Sequence, residues 1–367
     1  MNYSRLVKAY IIPIAAYQAV AIAGGYGTGR EVVQFFSSHG AYGGLLGVAA
    51  AALILAIVTG LTFEFARLFK VYDYRSFFDK LVGPAWIFYE ILYLTFFLIV
   101  LAVVASAADN ILQSRLGLPE NVGLLLMLSL VAVLLFFGRA VVERSLVVIT
   151  ALLLGAFIYY FISVLSVDSA LILDRFSSDN STSFSWVVPA LQFSMYSATV
   201  AVIVLFSTTG IETRKDAFLS GGLCGLIVMI PGFLFHVSFM GQLEGVTQAN
   251  VPIYWMIDQL GIPLLLTVYI IAMFGTFLGT GLGFLQAVSD RLDTWSMNRS
   301  GASLARWKHA CVAVGGLLIS AILGQFGIID LIAKGYGTLG WGFLIVFILP
   351  MVTIGAYRIF SPVPGNI

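Results

Sequence analysis

Apolar runs long enough to cross a membrane dominate this sequence, and its charged residues are concentrated between them. A helix needs about 20 residues to span the roughly 30 Å hydrocarbon layer of a bilayer. Charged residues make up 10% of the 367 residues and hydrophobic residues 60%, whereas about 25% of residues are charged in soluble domains. The sequence therefore predicts an all-α integral membrane protein and excludes a soluble enzyme.

Apolar stretches bounded by charges and turn residues predict ten transmembrane helices. The remaining residues are too few for a soluble domain, so we expect residues 1–367 to form a single transmembrane domain. The connections 167–185 and 242–261 are the longest, and the second is predicted to hold a short amphipathic helix on the surface. The predicted spans are 8–38, 44–69, 84–113, 121–138, 145–166, 186–208, 216–241, 262–289, 308–324 and 328–357.

The basic residues predict the orientation, because cytoplasmic loops carry an excess of Lys and Arg. Of the 19 Lys and Arg residues, Arg115 and Arg175 fall in loops on one side, and Arg30 and Lys334 lie inside predicted spans. All the others lie on the side of the two termini, which are therefore expected to be cytoplasmic, in the inner (plasma) membrane. A net charge of +1 provides no basic excess for nucleic acid. The expected partners are the lipid bilayer and a small solute, with no obligatory protein partner.

The first predicted span contains a run of glycines near its middle. Each glycine costs roughly 1 kcal/mol of helix propensity relative to alanine, so the segment is predicted to unwind. A small-residue face that lets two helices approach closely is the alternative. Unwound backbone at membrane depth is buried in protein or lines a cavity, which makes the segment a candidate solute site. Its residues are Gly24, Gly25, Tyr26, Gly27, Thr28 and Gly29.

The sixth predicted span has Ser194, Ser197 and Thr199 at a similar depth, and their hydroxyls can compete for backbone hydrogen bonds. We expect a second break there, although the segment has no glycine and a continuous helix with a polar face is the alternative. Two sets of five spans, each broken in its first member, must lie in opposite orientations. Such an inverted repeat, here about 8–166 and 186–358, is typical of secondary transporters.

Two segments and the ten-span layout resemble a known family, the YkvI-like bacterial membrane proteins. The segments are GlyTyrGlyThrGlyArgGluValValGlnPhePhe at 25–36 and AspLeuIleAlaLysGlyTyrGly at 330–337. That family is similar in turn to the amino acid, polyamine and organocation transporter superfamily, which has the LeuT fold. The resemblance implies transport by alternating access to a central site.

The same resemblance implies where sodium would bind. The glycine segment takes the place of the site for the substrate carboxylate and sodium, and Thr280 takes the place of a sodium-binding hydroxyl. Thr276 shares a helix face with Thr280, and the predicted sodium site consists of Ala23, Thr276 and Thr280. Gly279 departs from the family, which has a hydroxyl there, and threonines that bond their own helix are the alternative. Apart from sodium, no cofactor is predicted.

Charged residues inside the spans each need a partner or a wet cavity, because insertion costs about 2.5–3.5 kcal/mol. The resemblance pairs Arg30 with Asp330 as an outer gate, and Glu31 is then expected to pair with Lys334. The resemblance also makes Glu64 a brace for the unwound segments, and a side chain that reaches the membrane interface is the alternative. Lys334 is alternatively a charge in the transport site.

Aromatic side chains are expected to close over the solute. Tyr93 and Phe97 recur at helical spacing on span three, which borders the substrate in the LeuT fold, although such a stripe is more often helix packing. The other residues expected to complete the site are Tyr26, Phe193, Tyr196 and Ser197.

The predicted function is secondary active symport of a small zwitterionic or amino-acid-like solute, with sodium as the coupling ion. Proton coupling through Glu64 or Lys334 and uncoupled carriage are the alternatives within transport. A channel is the rival from another class, but the sequence has no filter-like repeat or ring of charge. No set of nucleophile, acid and base converges, so no enzyme is predicted.

Overall fold

Helices make up nearly all of the chain in the computed structural model, which describes residues 3–22, 25–137, 139–179, 183–300 and 306–361. The helical turns Tyr3–Leu6 and Val7–Ile11 precede the first long helix. The helices are α1 Ile12–Ala21, α2 Arg30–Phe35, α3 Ala41–Phe69, α4 Tyr74–Val82, α5 Trp86–Leu116, α6 Val122–Phe137, α7 Arg139–Ser178, α8 Val187–Ser197, α9 Thr199–Ile203, α10 Arg214–Phe239, α11 Leu243–Gln248, α12 Pro252–Gln259, α13 Pro263–Ser300, α14 Arg306–Gly324 and α15 Ile328–Phe360.

Six helical stretches of the described chain are long and apolar enough to cross a membrane. They correspond to the second, third, fifth, seventh, eighth and tenth predicted spans, and the membrane class of the protein is thereby confirmed. The first, fourth, sixth and ninth predicted spans correspond to shorter apolar helices of 10–17 residues. The count of ten transmembrane helices therefore stays a prediction.

Both long connections differ from their predictions. Helix α7 continues to Ser178, so the first part of the predicted loop 167–185 is helical. Ile172 of this extension is 4% exposed and packs beside Gly241, and this packing explains why the helix continues. The segment 242–261 forms two helices, α11 and α12, where one was predicted. Ile253 and Ile257 of α12 are fully buried, whereas Asp258 and Gln259 are exposed, so α12 is amphipathic and lies at the surface as predicted.

Helices α3 and α10 form the central pair of the fold and touch along their length. A Cβ atom at Gly221 would lie 2.7 Å from the Cα atom of Gly60, and one at Gly225 would overlap the backbone of Ala56. Small residues four positions apart let two membrane helices come into backbone contact, where dispersion forces hold them. The glycines of α10 therefore set the distance between the two helices.

The helices around this pair are arranged reciprocally. Helix α1 packs against α10, and α8 packs against α3. The first helix of each predicted half thus contacts the second helix of the other half. Helix α13 packs against α7, and α5 packs against α14 and α15.

Gly225→Ala is expected to destabilise the protein, because the added Cβ would overlap the backbone of α3. Overpacking typically costs about 1–3 kcal/mol. The thermal unfolding midpoint of the purified protein in detergent should fall by several degrees.

Gly222→Ala is the matched control on the same helix, because a Cβ there would meet nothing within 4 Å. This change adds helix propensity, so the midpoint should hold or rise. Equal losses in the two variants would contradict the packing argument.

Candidate functional site

The first predicted span is interrupted at its glycine-rich segment. Helix α1 ends at Ala21, a single tight turn runs over Tyr26–Thr28, and α2 begins at Arg30. Gly29 between them has φ +81°, a left-handed conformation that glycine adopts at little cost. The predicted site residues Ala23 and Gly24 lie outside the described residues, whereas residues 25–30 are all buried.

Neighbouring groups form hydrogen bonds with the backbone amides and carbonyls that the break leaves without helical partners. The Thr28 hydroxyl donates to the Gly25 carbonyl, and the Arg30 amide donates to the Thr28 hydroxyl oxygen over 3.2 Å. The Tyr269 hydroxyl of α13 donates to the Gly27 carbonyl over 3.3 Å. Backbone at membrane depth needs such partners, and these hydrogen bonds stabilise the non-helical segment.

The sixth predicted span is interrupted much less. Ala198 between α8 and α9 keeps helical angles, with φ −59° and ψ −24°. The Ser194 hydroxyl donates to the Ala190 carbonyl within α8, and the Thr199 hydroxyl at the start of α9 donates to the Tyr196 carbonyl of α8. The expected unwound segment is therefore a change of helical pitch, because no glycine here lowers the cost of leaving the helix.

Glu31 places a carboxylate inside the protein, one residue into α2. Its side chain is folded back toward the break, since a Cβ at Gly25 would lie 2.5 Å from its Oε1 atom. The Tyr196 hydroxyl donates to Oε2 over 2.6 Å. The residue is 5% exposed, and no basic side chain that the structure describes lies within 4.0 Å of its carboxylate.

A cavity of about 60 Å³ adjoins this carboxylate. Tyr26 and Glu31 of the first span line it together with Phe193, Tyr196 and Ser197 of α8. The break, the carboxylate and the predicted residues of the sixth span thus meet at one place.

Three aromatic residues that line the cavity, Tyr17, Phe96 and Tyr336, were not among the predicted site residues. Phe96 of α5 and Tyr336 of α15 have ring centroids 5.0 Å apart, and each also contacts the ring of Tyr196, at 5.6 Å and 5.0 Å. Tyr336 stands between two glycines, as Tyr26 does. This repeated GlyTyrGly was the sequence signal that could have identified Tyr336.

Tyr93 and Phe97 do not line the cavity. Tyr93 stacks on Tyr89 with ring centroids 6.0 Å apart, near Tyr74 of α4. Phe96 takes the position predicted for Phe97. Helix α5 is apolar on all sides, so its hydrophobic pattern cannot show which residue faces the cavity.

Arg30 points away from the cavity. Its guanidinium donates to the carbonyls of Thr247 and Ala249 at the end of α11, over 2.7 Å and 3.2 Å. In addition, a Cβ at Gly29 would lie 2.9 Å from the Ile253 side chain of α12. The segment 243–259 is therefore fastened over α2.

The predicted gate pairs are not formed in this structure. Asp330 and Lys334 pair with each other over 2.9 Å, one turn apart in α15. The Lys334 side chain is 80% exposed, so it lies outside the cavity. Arg30 and Glu31 each have other partners, as described above.

Glu64 is paired within its own helix. Arg67 binds both of its carboxylate oxygens, over 2.7 Å and 2.8 Å, and also donates to the carbonyl of Glu212. Glu64 was expected to brace the unwound segments, but these contacts connect α3 to the start of α10.

A second ion pair at this end of the molecule was not predicted. Arg5 lies 2.6 Å from Asp216 of α10, and the Tyr10 hydroxyl donates to the same carboxylate over 2.7 Å. We call the contacts of Arg5 and Tyr10 with Asp216 the N-terminal clasp. It fastens the beginning of the first span to the central pair.

The residues predicted to bind sodium are only partly assembled. Thr280 lines the cavity, and Thr276 lies one turn away. Each hydroxyl donates over 2.8 Å to a carbonyl of α13, that of Met273 for Thr276 and that of Thr276 for Thr280. Each oxygen keeps lone pairs that could face a cation. Among the described residues, no three His, Cys, Asp or Glu side chains cluster as a metal site.

Several polar side-chain atoms are buried between α1, α3 and α10. They are the hydroxyls of Tyr17, Thr59 and Ser220 and the Oε1 atom of Gln18. The Gln18 amide donates to the Cys224 carbonyl over 3.2 Å, which places this group on α10. Tyr17 also lines the cavity, so the polar group lies next to it.

No family model and no curated protein matches the sequence. The resemblance to the YkvI-like proteins is therefore not confirmed.

Solved transporter structures are similar in fold. A Na⁺-coupled sialic acid symporter, in a substrate-bound outward-open state, has a TM-score of 0.65 at 14% identity over 93% of this chain and 78% of its own. A manganese transporter from Eremococcus coleocola, in complex with an aromatic bis-isothiourea compound, has a TM-score of 0.57 at 12% identity over 96% and 80% of the two chains. A variant of that transporter has a TM-score of 0.55 at 11% identity over 100% and 90%.

At such low identity, these comparisons bear on the fold. The described chain has the helical architecture of these solved transporter structures.

Tyr196→Phe is expected to lower stability, because it keeps the ring but removes a donor from the buried carboxylate of Glu31. Loss of a partner from a buried polar group costs about 1–3 kcal/mol, and more for a charged group. The thermal unfolding midpoint should fall clearly. In a Glu31→Gln background the same change should cost less, since the two effects are coupled.

Tyr336→Phe is the matched control. Its ring contacts the same cluster, but its hydroxyl makes no hydrogen bond to the described residues, so removal should cost little. If the two Tyr→Phe variants behave alike, the hydrogen bond to Glu31 contributes nothing to stability.

Proposed function

We propose that this protein is a secondary active transporter that moves a small zwitterionic or amino-acid-like solute by alternating access, with sodium as the coupling ion. The observation that carries the proposal is the cavity at the break of the first span, where aromatic rings and one carboxylate converge. Sites at broken helices are typical of secondary transporters.

The packing supports the architecture that this mechanism needs. Helix α1 packs against α10, and α8 packs against α3 in the corresponding way. An inverted repeat of about 8–166 and 186–358 would produce this reciprocal packing. We infer a single transporter domain in the plasma membrane, with both termini in the cytoplasm as the basic residues predict. Relationship to the YkvI-like proteins is part of this proposal.

The size of the cavity favours a transporter that changes conformation. Ligand pockets usually measure about 300–1,000 Å³, whereas this cavity has about 60 Å³. A solute of amino-acid size needs a wider cavity, so we assign the structure to a contracted state. The N-terminal clasp holds the N-terminal end of the first span against α10. The hydrogen bonds of Arg30 to the segment 243–259 hold its other end.

Proton coupling is the second candidate, and the structure changes the residue that would carry it. Glu64 is bound by Arg67, and Lys334 is exposed beside Asp330, so neither is a free charge at the cavity. Glu31 lines the cavity without a basic partner among the described residues. A proton on Glu31 would neutralise it, and sodium dependence separates the two candidates.

Thr280→Val tests sodium coupling, because it keeps the shape of the side chain and removes the hydroxyl at the cavity. The sodium concentration that half-maximally stabilises the purified protein, measured against potassium, should rise severalfold. Thr267→Val on the same helix is the control, since the Thr267 hydroxyl is exposed and donates to the Pro263 carbonyl. Sodium and potassium that stabilise the wild type equally would refute sodium coupling.

Alternating access can be tested without knowing the solute. Ser197→Cys, in a chain carrying Cys224→Ala and Cys311→Ser, places a thiol at the cavity. Impermeant thiol reagents are then applied to either face of oriented vesicles. A carrier should show labelling from one face at a time, with sodium shifting the preference. Labelling from both faces at equal rates under all conditions would indicate a channel.

Arg5→Gln in this background should raise labelling from the face of the N-terminus severalfold, because it breaks the N-terminal clasp. Lys215→Gln is the control, since it removes the same charge from an exposed position next to Asp216. An unchanged rate in the Arg5 variant would mean that the clasp does not restrain that face.

A further inference from the structure

We propose that Glu31 binds the positively charged group of the solute, and that this charge is the feature the cavity recognises. The inference rests on the proposed transport function and specifies its substrate class. It extends that class from amino-acid-like zwitterions to small ammonium compounds that have no carboxylate.

The carboxylate of Glu31 has no basic side chain beside it among the described residues. Glu31 is 5% exposed, and a buried charge without a partner costs several kcal/mol. Its neighbour Arg30 does not compensate it, because that guanidinium binds the carbonyls of Thr247 and Ala249. A cationic solute next to the carboxylate supplies the missing charge.

The carboxylate of Glu31 also lies where the break would otherwise receive an anionic group. In a broken-helix site, the freed backbone and half-helix dipole can hold an anionic group of the solute. Here the Oε1 atom of Glu31 lies against Gly25 in that break, so the protein's own carboxylate occupies the position that an anionic group of the solute would take. A solute carboxylate there would meet a like charge, whereas an ammonium group would meet an opposite one.

Aromatic rings surround the cavity beside the carboxylate. Phe96, Tyr196 and Tyr336 contact one another with ring centroids 5.0–5.6 Å apart at the cavity. An ammonium group close to aromatic faces gains about 0.5–2 kcal/mol. These rings favour a cation and provide no positive group for an anion.

The experiment uses glycine and alanine and compounds that represent their two ends. Methylammonium and ethylammonium keep the positive end, acetate and propionate keep the negative end, and tetramethylammonium tests a quaternary group. Each probe is added to the purified full-length protein at constant ionic strength, and thermal unfolding is recorded. We expect the ammonium probes and the amino acids to raise the unfolding midpoint, and acetate and propionate to leave it unchanged.

The variant Glu31→Gln should abolish the stabilisation by ammonium probes. Glu64→Gln is the matched control, because that carboxylate is paired with Arg67 away from the cavity, and it should keep the stabilisation. If Glu31→Gln does not fold, labelling of wild-type Glu31 by a hydrophobic carbodiimide replaces it. Ammonium probes should slow that labelling severalfold, and acetate should not.

Three results would overturn the inference. They are stabilisation by carboxylates alone, ammonium binding that persists in Glu31→Gln, and no effect of any ammonium probe on either unfolding or labelling. The last result would leave a proton as the neutralising partner. None of them decides the transport function, because accessibility of the Ser197→Cys thiol tests alternating access independently of the solute.

Discussion

Contact between the backbones of α3 and α10 is the constraint on which the other central helices depend. Lipid provides no hydrophobic drive for one membrane helix to join another, so close packing has to supply it. Gly221 and Gly225 allow that packing because they place no side chain in the interface. Helix α10 in turn accepts the Tyr26 hydroxyl at its Val228 carbonyl, over 2.8 Å. The central pair thus positions the break in the first span.

The break and its carboxylate depend on each other. Gly25 leaves the space that the Glu31 side chain needs to fold back, and Tyr196 supplies a donor from the opposite helix. The first span can therefore unwind without a second glycine-rich break facing it. The site combines one irregular helix with one regular helix, and side chains of the regular helix provide the polar contacts.

The sequence predicted the features that depend on composition and local propensity. The membrane class followed from the apolar runs, and the interruption of the first span followed from its four glycines. The predicted charge pairs are not formed in this structure, because the charged groups have nearer partners than the opposite charges at similar depth. Asp330 and Lys334 were one turn apart and satisfied each other, and Arg30 found backbone carbonyls, which a sequence does not mark as partners.

The sequence also did not reveal which face of each apolar helix lines the cavity. Phe96 and Phe97 differ by about 100° around α5, and the two residues are equally apolar. Helix α15 adds a further complication, because π-helical turns such as Leu331–Tyr336 shift the register of the side chains that follow. A regular helical projection of that span therefore misplaces Tyr336, and the GlyTyrGly repeat is a better guide to it.

The buried polar atoms beside Tyr17 make water a participant in the balance of conformations. While α1 stays against α3 and α10, these atoms are buried. Separation of α1 from those helices would expose them, and exposed polar atoms bind water. The packed and separated arrangements differ in the number of water molecules bound, so osmotic pressure is a thermodynamic variable that favours the packed arrangement.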